Sequence, residues 1–444
     1  MKTDFKDYFK AIADFVLSEM LEDEKISIYF SGEKSYFMRF NKAKVRQNGT
    51  IEQGYFNFTF WKRNRTYKFG FGIQADIDED KKNAARALQA AREIILLLPE
   101  DKYQSIPESS STSETVYSGS LLPEDKIPET VLYPAQDLDF TGLYSQGTIC
   151  EGVITSAGAS HWFQTDTFNM DYSVWLENGR GIKSLYSGTE WKGEEYKLKL
   201  QNAREGLTVL HTPQKKLAPG KYKAFISADA LVDVIDFFSW NGFSERGMQQ
   251  GSSAYLALRE GRERFSEKFN LTQDFSLALE PPFNANGESA PEKLAIIERG
   301  VLKNTLVSLR TETQYGVKSN GAPSSENMRS VVIGGGSLAE ADILKELGTG
   351  IYISNFNYLN WSDTSSARVT GMTRFACLWV EDGKIVAPIA DMRWDESMYN
   401  MFGGNLLAVT KERHIFASTG TYGGRSTGGS LLPGILVKNF NCTL

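Results

Sequence analysis

The chain opens on helical spacing. Phe9, Ile12, Phe15 and Val16 recur at intervals that place them on one helix face. Strand-like segments follow. Ile26–Phe30, Tyr36–Phe40 and Tyr55–Trp61 are aromatic and β-branched, and Ser31-Gly32 and Asn48-Gly49 read as the turns between them. Tyr55, Phe56, Phe58, Phe60 and Trp61 leave little polar relief, so that strand is expected to be covered on both faces. Asp76 or Asp78 caps a helix through Ala84, Ala87, Leu88, Ala91 and Ile95, and Pro99 stops it.

The pattern then breaks. Residues 99–134 hold five of the 13 prolines and the run Ser109–Ser113, which predicts a linker or an exposed crossing segment. From 135 to 217 the order is helix, strands, helix. His161–Phe168 and Tyr172–Glu177 alternate as strands, Asn178-Gly179 is a turn, and Trp191–Leu210 is a charged amphipathic helix. Residues 221–444 are glycine-rich and strand-rich. A short strand Lys223–Ile226 precedes a helix from about Ala228. Ser337-Leu-Ala-Glu340 reads as a capping box opening a helix to Leu347. Asp382-Gly383 supplies the positive φ values of a hairpin between Trp379 and Val386, and Glu298-Arg-Gly300-Val supplies another.

Strands and helices come in mixed runs without strict βαβ alternation, and no repeat of fixed period occurs. The fold class expected is α+β and multi-domain: an N-terminal α/β unit and a large, strand-rich, mostly antiparallel C-terminal domain. The divisions are 1–100 for the N-terminal domain, 101–134 for the crossing segment, 135–220 for a middle α+β domain and 221–444 for the C-terminal domain.

Composition narrows the function classes. Hydrophobic residues make up 41% of the 444, enough for full cores, and the net charge is −6. A nucleic-acid ligand is disfavoured, because such binding needs a basic surplus to displace counterions. No apolar run approaches a membrane span, and residues 1–10 lack a secretion signal, so the expected address is cytoplasmic. The three cysteines, Cys150, Cys377 and Cys442, are far apart and fit a reducing compartment. The three histidines, His161, His211 and His414, are at least 50 residues apart and form no metal-binding pair.

Four groups have a chemical and a plainer reading. Gly420-Thr-Tyr-Gly-Gly-Arg-Ser-Thr-Gly-Gly429 looks like a phosphate cradle but lacks the P-loop ending, and reads better as a turned loop near a sheet edge. Asp229, Asp233 and Asp236 share a helix face, as cation ligands or acid–base groups would; a solvated face opposite Leu231, Val232, Ile235 and Phe238 explains them more simply. His161 and His414 read as hydrogen-bonded packing residues, and His211 as a helix end. Arg368, Arg374 and Arg393 are peptide-cleft candidates able to pair with a carboxylate, against ordinary inter-strand ion pairing.

The order of segments resembles the TldD/PmbA (TldE) family, described as metalloproteases and as modulators of DNA gyrase. The likeness rests on Ser35–Phe40 with Lys44-Val45, Ile51–Trp61 and Asp78–Leu98 at the start. Later it rests on Gly350-Ile-Tyr-Ile-Ser-Asn355, on Thr370–Ile385 with its Glu-Asp-Gly hairpin and Pro388, and on Ser418–Gly423 with Leu436–Phe440. TldD-type subunits of that family resemble zinc peptidases with HExxxH on a helix and a late cysteine in a Gly-Thr-Cys-Gly loop. Here Ala228 and Asp233 stand at the two histidines, Asp229 at the glutamate and Tyr422 at the cysteine. The resemblance therefore implies the TldE/PmbA type. Such a chain has no catalytic residue and no metal of its own, and it pairs with a TldD-type subunit that holds the zinc and acts on unfolded peptides. The Arg368–Arg374 segment departs from the family's Gly-Asp-Phe pattern. Two other readings stand beside this one: a non-proteolytic homodimer that binds peptides or a small molecule, and an autonomous hydrolase using Asp229 and Asp233 with a loosely held metal.

Overall fold

The structure, a computed structural model, describes residues 4–444. Its first sheet has seven strands: β1 (Lys25–Asn41), β2 (Lys44–Lys62), β3 (Arg65–Gly72), β4 (Thr112–Tyr117), β5 (Asp139–Thr155), β6 (Ser160–Trp175) and β7 (Gly181–Gly188). They lie in the order β3-β2-β1-β5-β6-β4, with β7 also paired to β6. β1 and β5 are hydrogen-bonded neighbours along 14 register pairs. Strands from both sides of the 99–134 segment thus share one sheet. That segment crosses it and contributes β4, parallel to β6.

Several expected turns are absent. β1 and β2 run straight through Ser31-Gly32 and Asn48-Gly49, and the chain reverses instead at Lys42 and Ala43, both at positive φ. The ladders decide this. β1 is paired on both sides, to β2 and β5, so a break at residue 32 would forfeit bonds to two neighbours. Gly32 and Gly54 are register partners that serve packing: a Cβ at either would lie 2.9 and 2.6 Å from the Phe30 ring. His161–Phe168 and Tyr172–Glu177 likewise belong to one strand, β6, up to Trp175.

One face of the sheet carries the even-numbered residues of β1. Helices α1 (Phe5–Ser18) and α2 (Ile77–Ile94) cover one end of that face, where Phe9, Ile12 and Leu88 meet Phe30, Phe56, Phe58 and Phe60. Helices α3 (Ile127–Leu132) and α4 (Gly193–Leu210) cover the other end, over Met38, Phe140, Tyr144 and Tyr172. Residues 55–58 alternate between exposed and buried, so that stretch is covered on one face only, contrary to expectation, while Phe60 and Trp61 at its end are both buried. Tyr55 and Asn57 face out, as one-sided antiparallel sheets permit.

The C-terminal part holds two further sheets. One has six strands in the order Val301–Leu302, Lys293–Glu298, Leu271–Asp274, Val331–Ile333, Gly429–Leu432 and His414–Ala417. The other has nine strands and includes β8 (Gly220–Ile226), which pairs with Ile435–Cys442 on one side and Gly350–Ile353 on the other. Most pairs are antiparallel, and the architecture is α+β as the residue pattern predicts. Asp382 and Gly383, and Arg299 and Gly300, adopt the positive φ values expected of hairpin turns. The capping box does not form. Helix Ile343–Leu347 follows a 3₁₀ turn Glu340–Asp342, and the Glu340 carboxylate pairs with His414 Nε2 at 2.5 Å instead of reaching back to Ser337.

Candidate functional site

The odd-numbered face of β1 reads Ser27, Tyr29, Ser31, Glu33, Ser35. Alternation alone would send these residues to solvent, yet Ser27, Glu33 and Ser35 are buried. The Gly-rich loop and neighbouring segments of the C-terminal part lie on them. Ser27 Oγ donates to Ala285 O at 2.6 Å, and Gln53 Nε2 donates to Gly423 O at 2.9 Å. Gly424 adopts φ +156°, which L side chains rarely enter, and a Cβ there would also sit 2.8 Å from the movable Gln53 Nε2.

Arg425 fixes the loop. Its guanidinium donates to Ser35 Oγ (3.2 Å), Gly147 O (3.1 Å), Thr167 O (2.9 Å) and Thr167 Oγ1 (2.5 Å), and its backbone N–H donates to Glu33 Oε1 at 3.1 Å. Desolvation lowers its pKa to about 10, against the opposing pull of Glu33, Tyr144 and Asp166. Asn169 Nδ2 donates to Ser418 O at 2.9 Å at the loop's start.

A groove of about 1270 Å³ runs beside this loop. The sheet face forms its floor with Ser145, Asp171 and Ser173, Arg46 and Ile51 of β2 form one flank, and Tyr422 and Arg425 form another. Tyr422 stands fully exposed at the rim. β2 is paired to β3 only from Tyr55 onward, so residues 44–54 keep an outer edge without a strand partner among the described residues. An extended chain can add to such an edge through its backbone alone.

Beneath the loop lie two carboxylates. Glu151 accepts from Tyr29 Oη at 2.5 Å and from Thr427 Oγ1, and burial raises its pKa. Glu280 accepts from Ser330 N at 2.9 Å, and burial, reinforced by Glu151, raises its pKa to about 7 against the pull of Arg329. Arg329 gives its terminal nitrogens to the carbonyls of Pro281, Phe283 and Gly321, so neither carboxylate receives a direct bond from it. Arg425 lies in the Gly-rich loop that the sequence singles out, but nothing local marks Glu33, Glu151, Glu280 or Arg329. The one available signal is the polar alternation on β1, which is indistinguishable from a solvent face until its cover is known.

Helix α5 (Ala228–Val234) starts at Ser227, whose hydroxyl caps Ala230 N. On a regular helix positions i and i+5 point about 140° apart, and here Ala228 is buried while Asp233 is exposed. Asp229 is held against β7: its Oδ1 accepts from Leu185 N at 3.0 Å and Ser184 Oγ at 3.4 Å. It is therefore a packing partner of a strand, not part of a solvated face. Asp233 is open to solvent in a recess whose walls raise its carboxyl pKa to about 6. Desolvation is the largest cause, Asp236 and Asp171 add to it, and Lys183 opposes. As a donor set the four family positions do not fit zinc. Ala228 has no ligand atom, Asp229 is engaged by β7, and Tyr422 offers a neutral phenol at the groove rim. Among the described residues, no group of three or more His, Cys, Asp and Glu side chains converges to hold a metal.

The remaining candidates lie as follows. Arg368 pairs with Asp395 across adjacent strands, Nε to Oδ1 at 2.7 Å. Arg393 Nε donates to Thr370 Oγ1 at 3.3 Å, and Arg374 sits 3.9 Å from Asp391. None of the three lines the groove; Phe375, next to Arg374, packs on Trp175, a groove residue, at 5.8 Å. His161 is a buried packing residue bonded to Ser113 Oγ at 2.7 Å, and His211 caps the end of α4. No helix among the described residues is long and apolar enough to cross a membrane.

Comparison with known proteins agrees with this architecture. Residues 219–444, half of the chain, match the profile of the PmbA/TldA metallopeptidase C-terminal domain. TldE from Thermococcus kodakarensis superposes with a TM-score of 0.75 at 14% identity, covering 100% of both chains. A candidate modulator of DNA gyrase from Bacteroides thetaiotaomicron gives 0.75 at 16% identity, covering 100% of both. Another from Thermotoga maritima gives 0.74 at 16% identity, covering 99% of this chain and 100% of that one. At such identities the structural likeness is one of fold. No curated protein matches the chain. The profile match over its C-terminal half, together with the fold shared over its whole length, makes this chain a member of the TldD/PmbA family.

Proposed function

We propose that this chain is a TldE/PmbA-type subunit, without a zinc motif, of a cytoplasmic metalloprotease complex that degrades or processes unfolded peptides. A TldD-type partner holds the zinc. One observation carries this reading: Ala228, Asp229, Asp233 and Tyr422 occupy the family's metal and base positions with side chains that supply no zinc donor set. The chain's own contribution is to shape the cavity and admit the substrate. The unpaired edge at residues 44–54 of β2, beside the groove, suits an extended peptide held through its backbone, with little demand on side-chain sequence. Arg46, which lines the groove, adds positive charge to it and favours acidic segments or a terminal carboxylate.

The test is reconstitution. The purified chain, a TldD-type subunit from the same genome, and their mixture are each incubated with oxidised insulin B chain as an unfolded substrate. The expected result is no cleavage by this chain alone, a stable hetero-complex on gel filtration, and faster cleavage by the mixture than by the partner alone. Metal-dependent cleavage by this chain alone, or a partner indifferent to its presence, would overturn the reading.

A further inference from the structure

The C-terminal part holds a second recess, which shares no lining residue with the groove. Its volume is about 900 Å³. It lies against the short helices Glu245–Gln249 and Leu256–Arg259, the edge strand Val301–Leu302 and the segment 317–320. Leu258, Leu294, Val301, Leu302, Val307 and Val317 give it an aliphatic wall, and no aromatic ring lines it. Its neutral polar side chains already donate to protein oxygens: Thr305 to Glu245, Asn304 to Ala295 O, Ser319 to Glu288 and Asn320 to Thr305 O.

The charged groups are what remain. Glu245 is fully buried. Its Oε1 accepts from Gln249 Nε2 and Arg259 Nη2, both at 2.7 Å, and its Oε2 from Thr305 Oγ1 at 2.5 Å and Arg259 Nη2 at 2.8 Å. A carboxylate so held is fully engaged, and it fixes the guanidinium in place. It uses only Nη2, so Arg259 Nε and Nη1 make no hydrogen bond to a described residue. Arg264, Lys303 and Lys318 also line the recess. Arg264 and Lys303 have only exposed partners, Glu267 at 3.1 Å and Glu298 at 3.6 Å, and such pairs contribute little in water. Lys318 has no ion-pair partner among the described residues. Besides the engaged Glu245, Glu263 is the one acidic side chain in the lining, and it is exposed. The recess is thus cationic in a chain whose net charge is −6.

We propose that this recess binds an amphipathic organic anion, a carboxylate or phosphate head on an aliphatic chain. The head accepts from the free Nη1 of Arg259, Lys303 and Lys318 close on it from the rim, and the chain lies along Leu258, Leu302 and Val317. The lining decides the body of the ligand. It has no ring on which a nucleobase could stack, and its neutral donors are already engaged where a sugar would need them. The site is independent of the peptidase reading, since binding is a property of this chain alone.

The test is calorimetric titration of the full chain with decanoate and with decyl phosphate, each below its critical micelle concentration. Butyrate, with the same head and a short chain, and decyltrimethylammonium, with the same chain and a cationic head, are the controls. Saturable one-to-one binding of at least one decyl anion is expected, with butyrate weaker by roughly tenfold or more and no saturable binding of the cation. The double variant Lys303→Met, Lys318→Met, at two exposed positions, should weaken binding by roughly tenfold. Arg259→Lys keeps a charge for Glu245 and should weaken it similarly; should that variant fail to fold, the double lysine variant alone decides. No saturable heat with either decyl anion, equal affinity for butyrate or the cation, or unchanged affinity in the double variant would overturn the proposal. The tighter of the two decyl anions then assigns the head as carboxylate or phosphate.

Discussion

Arg425→Ala should free the Gly-rich loop from the first sheet and lower the chain's stability by about 3 kcal/mol. The guanidinium makes four hydrogen bonds to β1, β5 and β6. Its removal leaves the Gly147 and Thr167 carbonyls without that donor and takes a positive charge away from buried Glu33. Part of the gain is offset already, because the desolvation that brings the Arg425 pKa to about 10 is a cost of burying the charge. For that reason the expected figure lies at the lower end of what breaking a buried charged network costs. Arg425→Lys should recover little, since one ammonium cannot reach the three strands that the planar fork bridges. Urea denaturation measures the loss. Limited proteolysis localises it: cleavage between residues 418 and 428 should rise sharply in Arg425→Ala. A loop as protected as in the parent chain would show that the backbone contacts of Gly423 and Ser418 hold it unaided.

Glu280→Gln should remove a pH dependence of similar size. In the folded chain Glu280 titrates at about 7, against 4.5 when unfolded, because burial and Glu151 disfavour its charge more than Arg329 favours it. The folded state thus binds more protons than the unfolded one between those two values. Its stability contribution is fully present below about pH 4.5 and is lost as pH rises through about 7, a fall of about 3 kcal/mol. Glutamine mimics the protonated acid and still accepts from Ser330 N. The variant should match the parent near pH 4.5 and exceed its stability by about 3 kcal/mol at pH 8. Glu151 shifts in the same direction, so some slope will persist in the single variant. Denaturation curves of both proteins at the two pH values give the comparison. A difference that is constant with pH would mean that Glu280 is ionised throughout.

Much of the fold is legible in the residues. The spacing of Phe9, Ile12 and Val16 gives α1, the Asp-Gly and Arg-Gly pairs give their hairpins, and Asp76 gives the cap of α2. The turns at Ser31-Gly32 and Asn48-Gly49 mislead for a physical reason. Glycine is a turn signal when its φ is the constraint, but Gly32 makes room for the Phe30 ring, and Gly49 sits in the extended β2 ladder opposite Phe37. Segment 55–60 looks two-sided because its exposed Tyr55 is aromatic, and the composition of a strand does not say which face meets water. The capping box fails because His414, 74 residues away, competes for Glu340. The groove was least legible. Its walls come from β1, β2, β5, β6 and the 418–429 loop, and Arg425 meets Glu33 across almost the whole chain. Asp229 enters through its helix-face spacing with Asp233 and Asp236, and Tyr422 through family resemblance. The resemblance matches them to the glutamate and cysteine positions, but neither reading gives a hint that β7 engages Asp229.

The most direct measurement is zinc content, by elemental analysis, of this chain purified alone and of its complex with a TldD-type subunit. The expected result is a level far below one zinc per chain for the isolated protein, and one zinc per heterodimer contributed by the partner. One tightly held zinc per isolated chain would contradict a metal-free subunit and would require a ligand set outside Ala228, Asp229, Asp233 and Tyr422.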